Sequence, residues 1–208
     1  MDKLEEAHYF ASPIYVVKKP EFLEAVRTVS LRYEDNSREC KKNSVMLMTG
    51  TYAHEPELEE FSRYVSQTAW NILESQGYNM DRLATFFTEM WTQEHGHLSS
   101  METHIHGHGS QISAFYFIDA PKGSCKLVLH DPRSAKVITN LPEKDNTKIT
   151  MGSHQIVFTP EAGTLIFANA WFPHSLTKNM SQEPMKFVHM NLSVAVAPEV
   201  EEPKVEVI

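Results

Sequence analysis

The chain has 208 residues, 41% of them hydrophobic, and 19 Lys and Arg stand against 27 Asp and Glu for a formal charge of -8. That length suits one domain with one core, and the acidic balance offers no basic stripe to neutralise phosphates, so direct nucleic-acid binding is not expected. Cys40 and Cys125 form no CxxC pair, and the N-terminal "MDKLEEAHYF" has neither an apolar signal core nor a membrane-spanning run, so the expectation is a soluble, cytoplasmic protein in a reducing compartment.

In chain order, the first elements read as helices. "PEFLEAVRTVSLRYE" places Phe22, Leu23, Val26 and Val29 at helical spacing behind Pro20. "PELEEFSRYVSQTAWNILESQGY" does the same with Leu58, Phe61, Tyr64, Val65, Ile72 and Leu73 behind Pro56. Proline suits a first helical position, where its missing N–H would have had no partner. From Ala84 the texture changes to short apolar or alternating runs: "ATFFTEMWTQE", "QISAFYFIDA", "CKLVLH", "HQIVFT", "GTLIFANA" and "KFVHMNLSVAV". Gly, Pro, Asn and Asp clusters part them, which predicts six or more strands. The chain is thus expected to be mainly β, an antiparallel sandwich or barrel with helices packed outside. The domain is expected to span 1–197, with a helical part over about 1–82 and a β core over about 84–197. The tail 198–208 mixes Pro with Glu and reads as flexible.

The chemistry concentrates in "THIHGHGSQIS". In an extended strand, residues i and i+2 share a face at about 6–7 Å, so His104 and His106 can close on one metal ion. Glycines at 107 and 109 let the chain turn away from them. His108 shares the face only if the strand continues, and so is an alternative to either. A third ligand should lie near in space and far in sequence, and "TPEAGTLIFANAWFPHSLTKN" offers His174. Imidazole suits Zn, Fe, Cu and Ni alike, so the set does not name the metal, but three protein ligands leave positions open for catalysis. Asp131, before Pro132, reads as a turn residue, and Trp91 as a core aromatic, whereas Trp171 and Phe172 can shape a substrate side.

The order "HIHGHGSQISAFYF", "LVLHDPR", "PEAGTLIFANAWFPH", then a basic residue about a dozen positions on, resembles the Fe(II)- and 2-oxoglutarate-dependent oxygenases. Within them it is similar to a poorly characterised bacterial and phage subgroup with a His-x-His motif. The resemblance covers about Phe86 to Val196. It implies a double-stranded β-helix, or jelly roll, with His104, His106 and His174 holding Fe(II). It further implies that 2-oxoglutarate and O2 oxidise a peptide or small-molecule substrate, hydroxylation being the expected outcome. His106 stands where the superfamily usually has Asp or Glu. Lys186, twelve residues past His174, takes the place of the cation that holds the distal carboxylate of 2-oxoglutarate, with Arg133 as its rival. Tyr116 and Asn191 lie on strands that would wall the cofactor pocket, on faces that periodicity does not fix. Two other readings remain: a cupin-type metal protein that does not use 2-oxoglutarate, and a non-catalytic β-domain subunit.

Overall fold

A computed structural model describes residues 4, 5, 7, 9–40, 44–107 and 109–197. The expectations for His108 and for the tail 198–208 concern residues outside that set. Pro20 and Pro56 open short 3-10 turns that run directly into α1 (Leu23–Cys40) and α2 (Glu59–Ser75). Along α2 the buried residues Phe61, Val65, Ala69, Ile72 and Leu73 recur every three or four positions, giving one apolar face. Neither helix is long and apolar enough to cross a membrane.

Among the described residues ten strands follow in chain order: β1 (Ile14–Lys18), β2 (Met46–Met48), β3 (Leu83–His95), β4 (Met101–His104), β5 (Ile112–Asp119), β6 (Leu127–His130), β7 (Gln155–Phe158), β8 (Thr164–Asn169), β9 (His174–Leu176) and β10 (Met185–Val196). All six expected runs are strands. The additional ones are β1, β2, β4 and β9, of three to five residues each, too short to show a period in the sequence. Two of these, β1 and β2, fall in the stretch expected to be helical and extend the larger sheet at its two edges. That sheet runs β1-β8-β5-β10-β3-β2 and the smaller one β4-β9-β6-β7, with every pairing antiparallel. This is the jelly roll: two sheets face each other, helices cover the outer face of the larger, and no closed barrel forms.

Alternation along the strands sorts the core into two layers. Outward residues Ala114, Tyr116 and Ile118 of β5 and Val188, Met190 and Leu192 of β10 pack with Val26 and Val29 of α1 and the apolar face of α2. Inward residues Phe115, Phe117 and Phe187 pack with Leu127 of β6 and Leu176 of β9 between the sheets. Each such apolar side chain contributes about 1.5–3 kcal/mol when fully buried. Gly163 sits in the turn before β8 at φ +82, where a Cβ would lie 3.0 Å from Pro20 Cα. Its carbonyl accepts the Lys19 N–H at 2.7 Å, so this glycine lets the helical layer join the sandwich.

Candidate metal centre

Strand pairing assembles the centre. The register of β4 against β9 places His104 opposite His174. Just past β4, the His106 backbone N–H donates to the Ala170 carbonyl at 3.0 Å, which pins His106 beside the turn into β9. One ring nitrogen from each of His104, His106 and His174 then lies within 4.8 Å of the others. The second nitrogens are held by the backbone. His104 Nδ1–H donates to the Glu102 carbonyl at 2.9 Å and His174 Nδ1–H to the Phe172 carbonyl at 3.0 Å. A carbonyl only accepts, so both rings carry the proton on Nδ1 and leave Nε2 bare, the arrangement that metal-binding histidines adopt. The His106 and His174 Nε2 atoms are 3.3 Å apart.

Burial keeps these rings ready to bind. It pulls His174 down to about 3 and, with His104 adding to it, His106 down to about 4. Both are therefore neutral at physiological pH, as a ligand must be. A surface cavity of about 340 Å³ lies against His106, lined also by Thr88, Glu89, Gly107, Ser110 and Asn191.

The four residues expected to hold 2-oxoglutarate divide. Asn191 is at the centre: its Nδ2 lies 3.1 Å from His106 Nδ1 and 3.1 Å from Glu89 Oε2, and its Oδ1 accepts from Ser113 Oγ at 3.0 Å. Lys186 is not. It shares the outward face of β10 with Val188, and its ammonium bonds Glu34 of α1 at 2.6 Å and Glu94 of β3 at 3.3 Å. Tyr116 also turns outward, its ring 5.0 Å from Phe61 and its hydroxyl donating to the Lys19 carbonyl at 2.6 Å. Arg133 is half-exposed and already engaged by Asp131, through Nε at 2.9 Å and Nη2 at 2.8 Å. Asp131 Oδ1 also accepts the Arg133 backbone N–H at 3.0 Å, so it shapes the turn. The guanidinium beside it holds its carboxyl well below the usual carboxylate range.

Two inward residues escaped the sequence. His189 of β10 is buried to 1% exposure, and neither ring nitrogen has a hydrogen-bond partner. Its ring centroid lies 4.5 Å from that of His106, 4.4 Å from Trp91 and 4.7 Å from Phe115. Burial, with the neighbouring histidines, lowers it well below the ordinary histidine value. The signal was its spacing: Phe187, His189 and Asn191 alternate, so a residue that faces the site at 191 implies one at 189. Glu89, opposite Asn191 on β3, follows by the same register. Trp91, expected in the core, is instead partly exposed beside His189 and 6.5 Å from His106. The residues that β3, β5 and β10 turn inward, from Glu89, Trp91, Gln93 and His95 through Ser113, Phe115 and Phe117 to Phe187, His189 and Asn191, include no Lys or Arg.

The sequence model of a family described as "Putative 2OG-Fe(II) oxygenase" matches residues 89–188, a span that contains all three histidines. Over that span the chain is similar to the 2OG-Fe(II) oxygenases. The chain shares its fold with solved structures at low identity. A Pseudomonas putida prolyl-4-hydroxylase aligns at TM-score 0.56 and 10% identity over 88% of this chain and 92% of its own. A viral collagen prolyl hydroxylase of Paramecium Bursaria Chlorella virus-1, solved with 2OG, aligns at 0.54 and 10% over 89% and 96%. The 2-oxoglutarate-dependent carbocyclase SnoK from nogalamycin biosynthesis aligns at 0.60 and 10% over 92% and 85%. No curated protein is detectably similar in sequence. The cofactors that this similarity implies are Fe(II) and 2-oxoglutarate, and the residues present fit both: three converging imidazoles suit the metal, and His189 offers an orphaned polar group beside them.

Proposed function

We propose that the protein is a dioxygenase that hydroxylates a peptide or small-molecule substrate, with His104, His106 and His174 as its iron ligands. The observation that carries the proposal is the convergence of three ring nitrogens, two of them left bare by backbone acceptors. When bound, Fe(II) and 2-oxoglutarate supply the oxidation: one atom of O2 enters succinate as CO2 leaves, and the other enters a substrate C–H bond.

The chain's own residues orient and exclude. His104 and His174 are fixed in tautomer by the Glu102 and Phe172 carbonyls, so neither must lose a proton to bind. His106 differs, because ligation through Nε2 requires the proton on Nδ1. Asn191 can accept that proton once its carboxamide presents Oδ1: Ser113 Oγ, a hydroxyl, then accepts from Nδ2, and the exposed Glu89 carboxylate, which would face Oδ1 acceptor to acceptor, turns into solvent. Phe115 and Phe187 keep water from the inner side. Trp171, 45% exposed and stacked on Phe172 at 5.5 Å, offers an aromatic surface beside His174 for substrate. Hydroxylation is the outcome that asks least of the protein, since it needs only a C–H bond held near the metal. Two of the structural relatives above are prolyl hydroxylases, and a third, a carbocyclase, marks the range the fold supports.

The test is anaerobic reconstitution with Fe(II), followed by succinate release from 2-oxoglutarate against candidate peptides and small molecules. The wild type binds one iron and releases succinate faster with its substrate. Alanine at any of the three histidines lowers iron affinity by more than the roughly 100-fold that loss of an outer partner costs. Full iron occupancy in His174→Ala overturns the ligand assignment.

A further inference from the structure

Two departures of this site from its superfamily explain each other. The second ligand position holds His106, a neutral imidazole, instead of a carboxylate. The cations expected nearby are also missing: Lys186 is paired with Glu34 and Glu94 behind the sheet, and Arg133 with Asp131. Three neutral ligands leave a ferrous ion doubly positive, and 2-oxoglutarate is a dianion. The two are neutral together with no further charge from the protein. A carboxylate ligand would leave one negative charge over, and burying that unpaired is costly, so a Lys or Arg would then be needed. Among the buried groups anion and cation are absent as a pair; Glu89, which bonds Asn191 beside His106, is exposed, so water rather than a cation solvates its charge.

Such a site still needs a hydrogen-bond donor for the cosubstrate's carboxylate. Among the described residues His189 is the side chain that meets this need: 1% exposed, enclosed by Trp91, Phe115 and His106, and without a partner at either nitrogen. Buried polar atoms in that state are rare, and each has a cause. Trp91 and His106 are the two members of this enclosure that are only partly buried. We infer that His189 donates a hydrogen bond to a carboxylate of 2-oxoglutarate in place of the superfamily's Lys or Arg, and that this donor is matched to the all-histidine iron centre. The inference rests on the cosubstrate reading above.

The experiment is an anaerobic titration of 2-oxoglutarate into the Fe(II)-loaded protein, read by the metal-to-ligand absorption band, with iron content measured separately. His189→Phe keeps the ring and removes the donor, and His189→Gln keeps a neutral donor. The expected result is normal iron content in both, a dissociation constant raised roughly ten-fold or more in the Phe variant, and a smaller rise in the Gln variant. His106→Asp should weaken 2-oxoglutarate binding, and His106→Asp with His189→Lys should recover it by restoring the charge balance. An unchanged constant in His189→Phe overturns the inference. Loss of iron from that variant also overturns it, since His189 would then be a ligand. A wild type that binds iron but no 2-oxoglutarate overturns the cosubstrate reading itself.

Discussion

Single contacts decide what the histidines of this site can do. His104 and His174 reach their binding tautomers through main-chain carbonyls, which no side-chain substitution removes. His106 depends on a side chain, Asn191, which also meets Glu89 and Ser113. Outer partners of this kind typically contribute 10–100-fold to metal affinity. Asn191→Leu is therefore expected to weaken iron binding by about that factor, while Asn191→Asp, a stronger acceptor for the Nδ1 proton, retains it. Competition with a chromophoric chelator measures both, and equal affinities in the two variants would remove Asn191 from the site. The His-x-His pair was legible because its spacing is local. The role of Asn191 was not, since its partners are 85 residues away at His106 and 102 away at Glu89.

Strand β10 shows how one element serves two layers. Its inward residues Phe187, His189 and Asn191 meet the metal centre, and its outward Lys186, Val188 and Met190 meet the helices. Counting residues from His174 selected Lys186, but alternation places it on the outward side, where it neutralises Glu34, a carboxylate with 1% side-chain exposure. Arg38 adds a second cation to Glu34 at 3.4 Å and also pairs with Glu94. Burial pulls the Lys186 ammonium down, yet Glu34 and Glu94 hold it above its ordinary value. Lys186→Met should destabilise the fold by about 3–5 kcal/mol, because it leaves a buried carboxylate short of a charge. Affinity for 2-oxoglutarate should be unchanged. Urea denaturation and the anaerobic titration read the two effects, and a stable variant with lost 2-oxoglutarate binding would return Lys186 to the cofactor.

At the scale of the whole molecule, packing imidazoles between sheets ties stability to pH. Burial lowers His95 to about 4, His106 to about 4 and His174 to about 3, and lowers His189 further below the ordinary value. In the unfolded chain each titrates near 6.5. Above that value neither state binds the proton and stability is flat. From 6.5 down to about 4 the unfolded chain takes up protons that the folded one refuses, so stability falls as pH falls. Each histidine contributes up to about 1.4 kcal/mol per pH unit. Metal-free protein unfolded in urea at pH 7.5, 6 and 5 should show this decline. His95→Gln, which lies outside the triad, should make it shallower by one histidine's share. A flat profile would mean the buried rings accept protons in the folded state.

The sequence by itself determined the two helices, the six longer strands that make a sandwich or a barrel, and the His-x-His pair. These rest on periodicity and spacing, which are written locally: a helix repeats every three or four residues, a strand every two, and His104 and His106 are two apart. The tertiary structure alone decided which side of each strand faces the metal. A strand's two faces are equivalent until both are covered, and here α1 and α2 take the Tyr116 and Lys186 side while the smaller sheet takes that of His189 and Asn191. A charge's partner is likewise a matter of what packs against it, so the same lysine that the chain order offers to a cosubstrate is held, in the folded molecule, by a helix 152 residues earlier.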